Sequence, residues 1–356
     1  MNIVPKISVV CPSYNHGRYV GDFLRSMLAQ QDPRWELIII DDGSTDDNLA
    51  QIARISDPRI RVIARTHNRG VAAGMTEGVT MASAEIIAFL ASDDVAHPRY
   101  ISSLIASFEA NPRASAVYVS LERIDEQGVS LGRQSRLPAV WSRHELLRKS
   151  FLGPNQLPSP GMALRGEAAR SLRLPEGVVQ YSDWMWHNQI LMRGDVVLIE
   201  EQLVRYRVSS ASLGYRTTCS LAREMLETCV MMDDFLAIKD MAFLAEVFPA
   251  EIIPYQSLPA RHIPYVLGRL ALLSEIPEKR CWGYETIMRH LSGPDMAESL
   301  REHADFTHKD LMALVPTEAA SLVEDARRLR RRVRHLRRWA VVLAVGLMAA
   351  LVFLFR

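Results

Sequence analysis

From residue 7 to about residue 121 the chain alternates short apolar runs with stretches in which apolar residues recur every three or four positions. The runs at 7–11, 37–40, 60–63, 86–90 and 116–119, rich in β-branched residues, predict strands. Val20, Phe23, Leu24, Met27 and Leu28 predict the buried face of one helix, and Tyr100, Ile101, Leu104, Ile105 and Phe108 that of another. Strands that are apolar throughout need cover on both faces, and the intervening helices supply it. The expected fold class is therefore α/β, a mainly parallel sheet flanked by helices. Right-handed crossovers then bring the loops that follow the strands to one edge of the sheet, where chemistry should collect.

Beyond residue 121 glycines and prolines break the pattern into turns, with a helix predicted at 183–193 and a strand at 196–199. From about Thr217 to Arg338 the pattern is mostly helical and carries no interpretable motif. Residues 339–355, WAVVLAVGLMAALVFLF, contain no charge and would span roughly 26 Å as a helix. With arginines at both ends to snorkel, this predicts a transmembrane helix, the alternative being a buried core or oligomer helix. The basic run at 327–338, RRLRRRVRHLRR, is expected on the cytoplasmic side of that membrane beside anionic lipid. The expected organisation is a first domain at 1–216, a helical region at 217–326, the basic segment, and the membrane helix.

The 356 residues carry a formal charge of +1, which hides an asymmetry. Nine arginines lie between residues 327 and 356, leaving 33 basic against 41 acidic residues, a net −8, in the remainder. So acidic a body argues against nucleic acid as a partner. The four cysteines are scattered, with no zinc-type spacing, and suit a reducing compartment. The first residues run directly into a strand without a secretory signal, so the first domain is expected in the cytoplasm.

Three polar loops follow predicted strands: Pro12-Ser13-Tyr14-Asn15, Asp41-Asp42-Gly43-Ser44 and Ser92-Asp93-Asp94. The topology puts all three on one rim. Adjacent carboxylates at Asp93 and Asp94 repel unless a cation or donor compensates them, which suits a hard divalent ion; a helix N-cap is the alternative. The acidic run at 41–47 admits a turn with a capping acid, or a carboxylate that orients a nucleotide.

Together these stretches, with Asn68-Arg69-Gly70, resemble the family 2 inverting glycosyltransferases of GT-A fold. The resemblance covers roughly residues 5–215. It implies a Rossmann-like sheet, Pro12 and Tyr14 against a nucleobase, Asp42 as acceptor for the base, Asp93 near the ribose, and Asp94 as ligand for Mg²⁺ or Mn²⁺. Asp183 matches the catalytic base, although it could also cap its own helix. The segment from Tyr206 to Ser212, with Arg207 and Ser212, matches the part of the family that closes over a diphosphate. The chain departs from the family where Ala91, Ser182, Thr76 and Ser209 stand in place of Asp, Glu, Asn and His.

The implied partners are a nucleotide-sugar donor, UDP-linked or related, a glycan or lipid-linked acceptor, and the cytoplasmic face of an inner membrane. Two alternatives are a polyprenyl-phosphate sugar synthase and an inactive nucleotide-sugar-binding scaffold.

Overall fold

The computed structural model describes residues 4–133, 141–208, 218–304 and 306–313. Strands β1 (Ile7–Ser13), β2 (Trp35–Asp41), β3 (Ile60–Ala64) and β4 (Ile86–Phe89) are parallel, and β1 is central among them, pairing with both β2 and β4. Alternate residues point to opposite faces of a strand. Ile7, Val9, Cys11, Leu37, Ile39, Ala88 and Leu90 join a core with the buried residues of α1 (Val20–Leu28) and α4 (Tyr100–Ala110). On the other face, Val10 meets α3 (Val71–Met81), and Phe89 packs edge-on against Trp186 at 5.0 Å. The short helix α2 (Asn48–Ile52) follows the loop after β2.

The second half departs from the expected sheet. Strand β5 (Val95–Ala96) is followed by the long β6 (Ala114–Ile124), β7 (Ser130–Arg133), β8 (Ala163–Arg165) and β9 (Asp195–Arg207). The order is β3-β2-β1-β4-β8-β6-β9-β5, with β7 beside β6. The sheet is mixed rather than mainly parallel: β8 runs antiparallel to β4 and β6, β7 to β6, and β5 to β9. Strand β8 follows α5 (Arg143–Leu152) and the glycine- and proline-rich turns at 153–161, which bring the chain into the sheet in the reverse sense between β4 and β6. Strand β9 is parallel to β6 and carries the sheet back to the rim at Arg207.

Helices α6 (Gly166–Ser171), α7 (Ser182–Arg193), α8 (Thr218–Asp233), α9 (Met241–Val247), α10 (Ile263–Ala271) and α11 (Pro277–Leu291) complete a compact unit that extends to Leu291. The helical region after Thr217 is thus continuous with the sheet body up to that point. A second unit, from Ser292, contains α12 (Met296–Ala304) and α13 (His308–Ala313). The expected basic segment and membrane helix lie outside the described residues. Among the described residues no helix is long and apolar enough to cross a membrane.

Candidate active site

A buried chain of polar side chains ties the three rim loops together. Asn48 Nδ2 donates to Asp41 Oδ2 at 2.6 Å and to Ser13 Oγ at 2.8 Å, and Ser92 Oγ donates to Ser13 Oγ at 2.7 Å. His16 Nδ1 stands 2.8 Å from Ser92 Oγ. Since the single Ser92 proton goes to Ser13, the imidazole N–H is the donor in that last contact. Gly43 makes the turn after β2 at φ +77°, and Asn15, at φ 54°, accepts from Thr45 N at 2.8 Å. Asp46 receives the backbone N–H groups of Gly17 (2.8 Å) and Asn48 (3.0 Å) and so fixes the turn, whereas the N-cap position of α2, Asp47, makes no side-chain cap.

Asp42 is buried at the end of β2, and its oxygens accept from Arg65 Nη1 (2.8 Å), Arg69 N (3.0 Å) and Gly70 N (2.7 Å). The carboxylate therefore orders the loop from Arg65 to Gly70. Pro12 is half-buried, and Tyr14 leaves 42% of its surface exposed beside it.

Asp93 and Asp94 leave β4 in different environments. Asp93 is partly exposed, with Oδ1 3.8 Å from His16 Nδ1. Asp94 is 1% exposed; Oδ1 accepts from Arg207 N at 2.9 Å, while Oδ2 is buried without a partner among the described residues. Burial, and then the charge of Asp93, push its pKa well above the carboxylate range, against the pull of the Arg207 contact. Arg207, expected over a diphosphate, turns inward: Nε donates to Asp93 O (2.8 Å), Nη1 to Asp125 O (2.9 Å), and the guanidinium stacks 4.5 Å from the Tyr19 ring centre. Its donors hold the acidic loop, and its side chain is 2% exposed. Ser212 lies outside the described residues.

Asp183 stands in the first turn of α7, half-buried; the N-cap position is Tyr181, so Asp183 is not the cap of its helix. Oδ1 accepts its neighbour's N–H, Trp184 N at 2.7 Å, while Oδ2 accepts from Ser159 Oγ at 2.8 Å. Behind Ser159 lies His187, fully buried, with Nε2 3.3 Å from Ser159 Oγ and Nδ1 3.1 Å from Asn155 Oδ1. Burial lowers the His187 pKa to about 4, opposed by the Asp183 charge, so the ring is neutral at pH 7. Nδ1–H faces the amide oxygen, which leaves Nε2 bare and sends the Ser159 proton to the nearer acceptor, Asp183.

The two acidic groups meet at Tyr206. Burial first, then Asp94, Asp93 and Asp183 together, push this phenol up to about 12, so one side chain on β9 senses carboxylates from β4 and from α7. The charges of Asp93, Asp94 and Asp183 all act on Tyr206, whereas Asp42 holds the neighbouring loop. His16, Ser159 and His187 carry no spacing signal and were not legible in the sequence; Tyr206 lies within the segment matched to diphosphate closure.

Residues 8–169 match the family model described as "Glycosyl transferase family 2". That segment holds all three rim loops, and it is similar to glycosyl transferase family 2 over 162 of the 356 residues. An uncharacterized glycosyltransferase of Haemophilus influenzae is 27% identical over 64% of this chain and 72% of its own length. The putative teichuronic acid biosynthesis glycosyltransferase TuaG of Bacillus subtilis is 43% identical over 26% of this chain, which spans 38% of that relative. The crystal structure of S. aureus TarS 1-349 in complex with UDP-GlcNAc superposes with a TM-score of 0.58 at 16% identity, over 83% of this chain and 92% of the other, a likeness of fold. The family 2 segment ends at residue 169, so Asp183 and Tyr206 lie beyond it.

Proposed function

We propose that this chain transfers a sugar from a nucleotide-sugar donor to a hydroxyl of a glycan or lipid-linked acceptor, in the synthesis of a bacterial cell-surface polysaccharide, with inversion at the anomeric carbon. What supports this reading is the polar chain that ties the rim loops beside Asp93 and Asp94, together with the charge that Asp94, Asp93 and Asp183 all exert on the Tyr206 phenol.

Asp183 takes the acceptor proton in this scheme. Ser159 and the Trp184 N–H orient its carboxylate, and the buried neutral His187 adds no competing positive charge. Pro12 and the exposed Tyr14 offer the nucleobase a flat apolar surface. Asp42 contributes through the loop it orders, which lies beside them.

The acidic loop fits a divalent cation such as Mg²⁺ or Mn²⁺. Asp94 has one carboxylate oxygen to which no group among the described residues donates, and Asp93 lies next to it. Among the described residues no set of three His, Cys, Asp or Glu groups forms a closed metal cage, so the remaining ligands would be donor oxygens and water, the usual arrangement for Mg²⁺. A cation held there would offset charge gathering on the departing nucleoside diphosphate. The basic run at 327–338 and the apolar 339–355 support a location on the cytoplasmic face of the inner membrane, close to a lipid-linked acceptor.

A panel of nucleotide sugars, tested by thermal stabilisation with and without Mn²⁺, examines the proposal. The expected result is an upward shift for one donor class that grows with Mn²⁺, with the Mn²⁺-dependent part lost in Asp94→Ala. No shift with any nucleotide sugar would overturn it.

A further inference from the structure

The helix that bears Asp183 is held in place by side chains from the helical region whose role the sequence leaves open. The N-cap position of α7, Tyr181, has no side-chain cap of its own. Instead Glu227, on α8 and 3% exposed, reaches across: its Oε2 accepts from Gln180 N at 2.7 Å and Tyr181 N at 2.9 Å. One turn earlier on α8, Glu224 accepts from Gln180 Nε2 and from the Tyr181 hydroxyl, both at 3.2 Å. Glu227 thus binds the peptide N–H groups that enter α7, where the helix dipole favours negative charge, and Glu224 holds the side chains of the same two residues.

A second hold comes from α11. Lys279, with no exposed surface, places Nζ 2.8 Å from Gly153 O, donates also to Ser150 O, and stands 4.2 Å from the centre of the Trp184 ring. Trp184 follows Asp183 directly, and its Nε1 donates to Ser150 Oγ at 2.6 Å. Burial draws the Lys279 pKa down to about 7, yet the neutral amine keeps the N–H donors that the two carbonyls require. Helices α8 and α11 are themselves joined, Trp282 Nε1 donating to Asp233 Oδ1 at 2.9 Å.

We propose that Glu227 and Lys279 are positioning residues for the Asp183 carboxylate, so that the helical region up to Leu291 sets the aim of the catalytic base. This rests on the reading of Asp183 as base. A displacement of the order of 1 Å at a reacting group can cost about 100-fold in rate while leaving the ground-state donor complex intact.

The test compares Glu227→Ala, Glu227→Gln, Lys279→Met and Asp183→Asn in the full chain. Turnover is measured with the donor found by the screen, and affinity by calorimetry with UDP or GDP, whichever stabilises the wild type, in Mn²⁺. Glu227→Ala should lower kcat at least tenfold, with donor KM and diphosphate Kd within twofold of wild type. Glu227→Gln should recover kcat to within threefold, because its amide oxygen still accepts both N–H groups and its Nε2 replaces Oε1, which has no partner among the described residues. Lys279→Met, which keeps the packing, should lower kcat three- to tenfold at unchanged affinity, and decides the matter if Glu227→Ala fails to fold. The positioning role is overturned if kcat stays within twofold in both, or if kcat and nucleotide affinity fall together. Normal turnover in Asp183→Asn sinks the base assignment itself, whereas an inactive Asp183→Asn beside fully active Glu227→Ala and Lys279→Met sinks only the clamp.

Discussion

The rim of β1, β2 and β4 and the wall formed by α7 supply the two halves of the site, and they are stabilised in opposite ways. At the rim, the groups that satisfy one another come from the motifs themselves: Ser13, His16, Asp41, Asn48 and Ser92 form one buried chain. At the wall, Asp183 is oriented by Ser159, and its helix by Glu227 and Lys279, none of which belongs to a recognisable pattern. A self-contained rim suits binding of a donor whose core is constant, and a wall built from remote residues can change with the acceptor. The two halves should therefore fail differently when altered.

The largest expected difference is at the wall. Asp183→Asn keeps the shape and the Ser159 and Trp184 contacts but removes the basic group, so turnover should fall by about 10³-fold, the scale of general-base catalysis. Affinity for the nucleoside diphosphate, a property of the rim, should stay within twofold by calorimetry. Loss of both together would erase the proposed division.

A second expectation concerns His187 behind the same base. Its folded-state pKa, about 4, lies below the ordinary 6.5, so the native state holds the ring neutral while the unfolded chain takes up a proton as pH falls. The contribution is fully present above pH 6.5 and is lost between 6.5 and 4, amounting to about 3 kcal/mol. Besides Asp183, the groups facing the ring are Ser159, Asn155 and the edge-packed Tyr118. Urea midpoints of His187→Gln should fall less than those of wild type across that range. Parallel pH profiles would remove His187 as the cause.

What was legible in the sequence follows the same division. Strands β1, β2 and β4 are buried on both faces, so their residues form unbroken apolar runs that announce themselves. Strand β8 has three residues and β5 two, too short for any periodicity, and the antiparallel pairing of β8 made the sheet mixed. Strand β9 continues through Glu200, which is exposed, and Glu201, Gln202 and Arg205, which are half-exposed, so only its apolar start at 196–199 was predicted. The polar strings Asp41-Asp42 and Ser92-Asp93-Asp94 pointed to the rim because topology alone gathers strand ends. Topology does not say where a side chain ends, and Arg207 and Asp42 turned out to hold loops. Glu227 and Lys279 read as ordinary polar positions in helices, since only tertiary packing reveals what they meet.

At the rim, Gly43→Ala sharpens the contrast at a smaller scale. The residue sits at φ +77°, and a Cβ there would approach the His67 carbonyl carbon to 2.9 Å and its Cα to 3.0 Å, both backbone atoms. Left-handed strain alone costs roughly 1–2 kcal/mol for a side-chain-bearing residue, and the contact adds to it. Stability should drop by about 2 kcal/mol in chemical denaturation. The loop from Arg65 to Gly70 would be displaced, so diphosphate affinity should fall further than kcat. An affinity equal to wild type would show that the loop tolerates the shift.

The finest test is Ser92→Ala, which cuts the chain between Ser13 and His16. Ser13 Oγ loses a donor, though it keeps Asn48 Nδ2, and the His16 imidazole loses the acceptor at 2.8 Å but retains Asp93 3.8 Å away. Each rim group thus has a second partner in reach, so the loss should be about 1 kcal/mol rather than the larger penalty of stranding a buried polar group. The chain also fixes the rim loops relative to one another, and so a modest loss of stability should come with a two- to fivefold loss of diphosphate affinity at unchanged kcat. Stability lost at full affinity would mean that the chain supports the fold alone. A fall in kcat would mean that rim and wall are mechanically one unit, and that the division between a donor-binding rim and a base-bearing wall must be given up.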